Sequence, residues 1–225
     1  MARSIPSVTL ALLQNMRPRQ WTKNGFVFAA ILFDQKLLDP VSLSHVLLAF
    51  VLLCLTASGI YIINDVVDAD KDRHHPDKKH RPIASGRLPI PVALIAAGLF
   101  MLVAIVGSYW LDVELSLVIL AYIAAHIGYS FIFKNIVILD VFVIAMGFIL
   151  RLVAGVVVIE VARFSPWLYV CAGLLSLFLA IGKRRQELIT MGDRASVTRS
   201  TLAQYNLELI NEMLRLTITS TAVAY

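Results

Sequence analysis

At 225 residues, 59% apolar and only 16% charged, the chain is far from the composition of a water-soluble domain, which runs near half apolar and about a quarter charged. Its apolar residues fall in runs of about 18 to 23, the length that crosses a ~30 Å hydrocarbon core, so a soluble enzyme, a disordered tail and a small secreted disulfide protein are excluded. The formal charge of +5 in so apolar a chain points to basic loops at a membrane surface or to phosphorylated ligands, not to nucleic acid. Cys54 and Cys171 each lie inside an apolar run, so no disulfide framework is implied.

Residues 8–16 are amphipathic and lack the small-residue cleavage pattern of a signal peptide. The first strongly apolar stretch follows Trp21 and covers residues 25–33, so its helix is predicted to start upstream. Further runs cover residues 42–63, 92–110, 115–133, 136–159 (interrupted by Arg151) and 166–182. A seventh begins near Met213 and reaches only Tyr225; at 1.5 Å per residue that is ~20 Å, too short to cross. The pattern predicts an all-α, polytopic membrane bundle in one transmembrane unit, residues 1–225, with six spans and part of a seventh, continuing past Tyr225. All eight prolines lie at or outside the run ends, so the helices are expected to be straight.

Basic residues set the orientation. Seventeen of the twenty Lys and Arg fall on one side, including Arg3, Arg17, Arg19 and Lys23 before the first run, Lys71 to Arg87 after the second, and Lys183 to Arg215 after the sixth. Lys36 and Arg163 fall on the other, and Arg151 within a run. The N-terminus and the long loops are therefore expected to face the cytoplasm.

The chemistry concentrates in Asn64-Asp65-Val66-Val67-Asp68-Ala69-Asp70-Lys71-Asp72. If the helix continues through it, Asp65, Asp68 and Asp72 share an arc of about 60°, with Asn64 on its flank and Asp70 on the other side. Like charges at these spacings repel, so a cation must offset them. Hard oxygen ligands suit Mg²⁺ carrying a phosphate-bearing substrate; the plainer alternative is a solvated acidic helix end. The basic loop of residues 73–87 offers Arg81 and Lys78 to phosphate oxygens, although most of its charge also serves topology. His74, His75 and His80 have no thiolate partners and no regular zinc-ligand spacing, and read as solvated.

The motif Asn64-Asp65-x-x-Asp68-x-x-x-Asp72, followed by Arg81-Pro82-Ile83-Ala84-Ser85-Gly86, resembles the UbiA superfamily of membrane prenyltransferases. The likeness spreads over residues 17–205, through Arg17-Pro18-Arg19-Gln20-Trp21-Thr22-Lys23-Asn24, Tyr129-Ser130, Lys134, Leu139-Asp140-Val141-Phe142, Gly147-Phe148-Ile149-Leu150-Arg151 and Gly182-Lys183-Arg184-Arg185-Gln186-Glu187-Leu188. In these segments it is similar to the members that transfer phosphoribosyl to a polyprenyl phosphate such as decaprenyl phosphate. The resemblance implies nine transmembrane helices around a central cavity, of which this chain offers six and part of a seventh. Many members carry a second Asp-rich motif after the sixth span; Lys183-Arg184-Arg185-Gln186-Glu187 stands there instead, which implies a cationic anion site and two phosphorylated substrates.

The resemblance further implies that phosphoribosyl diphosphate is the donor, that the polyprenyl phosphate attacks its anomeric carbon, and that Mg²⁺ on Asp65, Asp68 and Asp72 neutralises the departing pyrophosphate. The setting it implies is a bacterial plasma membrane, with the product feeding cell-envelope arabinan synthesis. Homo-oligomerisation stays open. The rival enzyme reading moves a prenyl chain from a prenyl diphosphate to an aromatic or other acceptor. The rival non-enzyme reading, an anion transporter, is disfavoured because the charges gather at one interface and not at the midplane.

Four further groups are candidates. Asp140 and Arg151 lie on one face of a helix, ~16 Å apart, and charged residues within spans ordinarily face the bundle interior; Arg151 either binds a lipid phosphate or braces another helix. Tyr122, His126 and Tyr129 form a polar stripe toward Lys134, which either bonds helices together or lines a substrate cavity. Arg17, Gln20, Lys23 and Asn24, if helical, present donors to a phosphate, with Lys23 and Asn24 preferred and Trp21 read as an interfacial anchor. Lys183 and Arg184 form the cationic site after the sixth run.

Overall fold

The computed structural model describes residues 5–159, 161, 166–191 and 205–224; Arg3, Arg163, Arg194 and Arg199 lie outside them. Helix α1 (Ile5–Asn15) leads into a 3-10 segment (Pro18–Phe28) and the short α2 (Ala29–Phe33). Then follow α3 (Pro40–Val67), α4 (Ala69–Arg73), α5 (Ile90–Leu111), α6 (Val113–Phe131), α7 (Leu139–Val158), α8 (Pro166–Met191) and α9 (Leu207–Ala224). No strand occurs among the described residues. Helices α3, α5, α6, α7 and α8 are long and apolar enough to cross a membrane, and they match the second to sixth apolar runs.

Their ends follow local chemistry. Asp39 caps α3 by accepting from the Ser42 N–H at 2.9 Å, ahead of Pro40 at the first helical position, and Asp112 caps α6 by accepting from Leu115 N–H at 3.0 Å. The Ser42 hydrogen bonds hold the Asp39 carboxyl below the ordinary carboxylate range. Pro91 and Pro166 fall in the first turns of α5 and α8, so no proline interrupts these spans.

The first span departs from expectation. It is not one α-helix but eleven residues of 3-10 helix followed by five of α-helix. Arg17, in the left-handed region at φ 54°, turns the chain out of α1, and Pro18 starts the segment. Long 3-10 runs are uncommon because their hydrogen bonds are poorer, so this one depends on its neighbours, α3 and α7. Gly155 of α7 admits the Val27 carbonyl where a Cβ would collide with it. Val27, Ile31, Val46, Leu53, Ile119 and Ala154 form the apolar core at this junction.

Helix α8 runs to Met191, beyond the expected end at Gly182, because its charged continuation finds partners on α7 and within its own last turns. Helix α9 begins at Leu207, before the expected Met213, and packs against α8 through Ile210. With Glu208, Glu212 and Arg215 along it, α9 is not among the helices apolar enough to cross.

Candidate functional site

A cavity of about 430 Å³ lies between the 3-10 segment, α3, α6, α7 and α8. Four cations line it: Arg17, Lys23, Arg151 and Lys183; no Asp or Glu does so among the described residues. Asn64 and the Tyr122, His126, Tyr129 stripe complete its polar wall, with Phe148 and Ile144 among its apolar groups. The stripe thus lines a cavity, and Tyr122 also bonds across helices to Arg151. His126 stacks on Tyr122 with ring centroids 4.1 Å apart. Gly147 leaves that imidazole its space, a Cβ there falling 2.8 Å from it.

The acidic motif does not form one arc. Helix α3 stops at Val67, with Asp68 at its C-cap, and α4 restarts at Ala69. This break separates the acids into two groups. Asp65 and Asp72, both buried, converge on Arg81, whose Nη1 donates to Asp65 Oδ1 at 3.0 Å and to Asp72 Oδ2 at 2.7 Å. Arg17 Nη2 donates to the same Asp65 oxygen at 2.5 Å. Asp68 turns instead to Lys134, 2.7 Å away. Asp70 stays 90% exposed and, among the described residues, pairs only with Arg73 at 2.7 Å. Lys78 is half-buried and takes no part in these pairs.

Two buried carboxylates that converge on one cationic point are a donor set suited to Mg²⁺, which is commonly held by one or two carboxylates plus substrate phosphates. Among the described residues, no three acids, histidines or cysteines gather into a larger metal-binding group.

Deeper in the bundle, Arg151 of α7 is 4% exposed. Its Nε donates to Asn24 Oδ1 at 2.8 Å, its Nη2 to the Tyr122 hydroxyl, and the Asn24 amide in turn to Cys54 Sγ at 3.2 Å. The guanidinium also stands over the rings of Tyr122 and Phe148, 4.9 and 5.2 Å from their centroids. Asn24 thus acts by holding Arg151. Trp21, read as an anchor, donates to Ser58 Oγ at 3.1 Å and belongs to the packing.

Asp140 and Arg184 form a third cluster. Arg184 Nε donates to Asp140 Oδ2 at 2.7 Å, with side-chain exposures of 2% and 0%. Arg184 also reaches Glu187 at 2.5 Å and the Tyr129 hydroxyl at 3.4 Å. Tyr205 donates its hydroxyl to Asp140 Oδ1 at 2.7 Å and accepts from Ile138 N–H at 2.8 Å. Burial and the Asp140 hydrogen bond push its phenol well above the usual tyrosine value. Ile138 has φ 73°, rare for a β-branched residue, and the Tyr205 hydroxyl bonds its N–H. Of this pair of cations, Lys183 reaches the cavity while Arg184 ties α8 to α7. Sequence reasoning missed Tyr205, gave Glu187 no role of its own, and ranked Arg17 behind Lys23 and Asn24, because its turn geometry leaves no composition signal.

Comparison with known proteins sets this geometry in context. The sequence profile of the UbiA prenyltransferase family matches residues 25–203. The decaprenyl-phosphate phosphoribosyltransferase of Mycolicibacterium smegmatis is 36% identical over 220 residues, 95% of this chain and 68% of that protein. Its counterpart of the same name in Corynebacterium glutamicum is 34% identical over 223 residues, 95% of this chain and 65% of that protein. The chain thus spans roughly two thirds of the length of these relatives. Among solved structures, a UbiA homolog from Archaeoglobus fulgidus bound to DMAPP and Mg²⁺ superposes with a TM-score of 0.80 at 19% identity, covering 95% of this chain and 75% of that one.

Proposed function

The chain belongs to the UbiA prenyltransferase family and is a membrane transferase; from that premise we propose that it moves 5-phosphoribosyl from phosphoribosyl diphosphate to a polyprenyl phosphate, decaprenyl phosphate being the acceptor named in its relatives. The observation that carries this reading is the cavity itself: among the described residues, four lining cations, no lining carboxylate, and a carboxylate pair joined to it through Arg17. Such a wall suits two phosphorylated substrates better than a neutral aromatic acceptor.

In this reading an oxygen of the polyprenyl phosphate forms a bond to the anomeric carbon, the bond from that carbon to the diphosphate oxygen breaks, and pyrophosphate leaves with the electron pair. The anomeric carbon carries oxocarbenium-like charge on the way. The acceptor phosphate is already anionic near neutral pH, so no general base is required. Asp65 and Asp72 would hold a Mg²⁺ that neutralises the leaving diphosphate, while Asp68, expected from the sequence as a third ligand, is turned aside to Lys134. Arg81, Arg17 and Lys134 stand against these carboxylates, placed to turn to phosphate oxygens when substrate arrives. Lys23 and Lys183 orient phosphates from the cavity wall, and Asn64 and Tyr129 donate beside them. The site opens to the cytoplasm in this scheme, on the side where the basic residues gather.

Membranes containing the protein, incubated with Mg²⁺, radiolabelled phosphoribosyl diphosphate and decaprenyl phosphate, are expected to yield labelled lipid on extraction. Transfer from a prenyl diphosphate to an aromatic acceptor, with no labelled ribosyl lipid, would overturn the reading.

A further inference from the structure

Arg151 is, among the described residues, a charge without a counter-charge. Among the described residues no carboxylate lies within ion-pair distance of it, although it is buried in the middle of α7. Its partners are an amide oxygen, a hydroxyl and two aromatic faces. A guanidinium held in a membrane bundle by neutral groups is costly. Bracing the 3-10 segment against α6 does not need the charge, because a glutamine could bond to Asn24 and Tyr122. The charge has a use only if something anionic enters the cavity that Arg151 lines.

The surroundings point the same way. Lys23, Lys183 and Arg17 line the same cavity as Arg151. Like charges around one hollow repel until an anion enters. The place is separate from the carboxylate pair: Asn24 ties Arg151 to the level of Cys54, eleven residues before Asp65 on α3, which is ~16 Å of helix rise.

We propose that Arg151, with Lys23 and Lys183 beside it, forms a subsite for a phosphate monoester, distinct from the Asp65–Asp72 end that takes the diphosphate. The subsite rests on the phosphoribosyl-transfer reading, in which donor and acceptor each carry one such group: the 5-phosphate of the sugar and the phosphate of the lipid. Asn24 and Tyr122 fix the guanidinium, leaving Nη1 as the donor that neither engages. A prenyl diphosphate carries no phosphate monoester apart from its diphosphate, so the subsite selects for a sugar phosphate donor or a lipid phosphate acceptor.

The test uses the full chain in nanodiscs without divalent metal, with ribose 5-phosphate and a short polyprenyl phosphate as separate probes. At least one is expected to bind, and the arm that binds identifies which substrate's phosphate the subsite holds. Arg151→Gln is expected to weaken that binding about tenfold or more, the loss of a charge-assisted contact, while Asp65→Asn leaves it intact. Pyrophosphate with Mg²⁺ is expected to show the reverse pattern. A melting curve and the Arg151→Lys variant, expected to recover part of the binding, separate charge from folding. If neither probe binds, if Arg151→Gln binds as well as the parent, or if Asp65→Asn abolishes monoester binding equally, the subsite is overturned. Monoester binding that depends on Arg151 without any labelled lipid in the transfer assay would uphold the subsite and remove the reaction; labelled lipid with Arg151-independent binding would do the opposite.

Discussion

Where α3 gives way to α4, each buried acid is answered by a cation: Asp65 by Arg17 and Arg81, Asp72 by Arg81, and the half-buried Asp68 by Lys134. Within α7 the charge of Arg151 meets, among the described residues, only neutral dipoles and ring faces. The first region is balanced, and a divalent cation entering it would displace a guanidinium from its carboxylates. The second is unbalanced, and an incoming anion would displace nothing. In the proposed reaction the carboxylate pair, joined to the cavity through Arg17, would take the metal and the Arg151 wall a bare phosphate, so the two ligands would be sorted by position before any bond changes.

The sharpest way to break this comparison is at Asp65. Asp65→Ala removes a buried carboxylate shared by two arginines and is expected to reduce transfer by about a thousandfold or more, several kcal/mol of transition-state stabilisation, with membrane insertion retained; a labelled-lipid assay on matched membranes reads it. Next is the Asp140–Arg184 pair, buried as deeply as Arg151 but balanced. Arg184→Met is expected to cost about 3–5 kcal/mol by leaving Asp140 uncompensated, and the double variant Asp140→Leu/Arg184→Met substantially less, as measured by denaturation in detergent. Tyr205→Phe removes one hydrogen bond to that carboxylate and is expected to lower stability by about 1–2 kcal/mol. Smallest is Asp70→Ala: its pair with Arg73 is open to solvent, and transfer and melting are expected to stay unchanged, within about 0.5 kcal/mol. A large loss at Asp70 would show that the balance extends beyond the buried acids.

The spans were legible wherever burial in lipid alone decides structure. The run at residues 42–63 became Pro40–Val67, and that at 92–110 became Ile90–Leu111, because hydrophobic length is all that a crossing demands. The first span was not legible as 3-10 helix, since its conformation depends on Gly155 and α3, far away in sequence. In the acidic motif, residue types were readable and their grouping was not. A 3.6-residue period places Asp68 beside Asp65, but the helix ends at Val67, and Lys134, some sixty residues on, draws Asp68 aside. Arg151 was legible as a buried functional candidate from its polarity within an apolar run. That no described carboxylate partners it is a fact about three dimensions.

The junction between Val27 and Gly155 bears on how the protein is made. Residues 18–28 include Arg19, Gln20, Lys23 and Asn24, a composition that a translocon does not hand to lipid as a spanning helix. Backbone at membrane depth must be covered by protein, and the glycine that accepts the Val27 carbonyl lies 128 residues downstream. The segment leaves the ribosome early and reaches its final seat only after α7 has been synthesised. The cavity wall carrying Lys23 and Asn24 therefore cannot take its final packing before α7 exists.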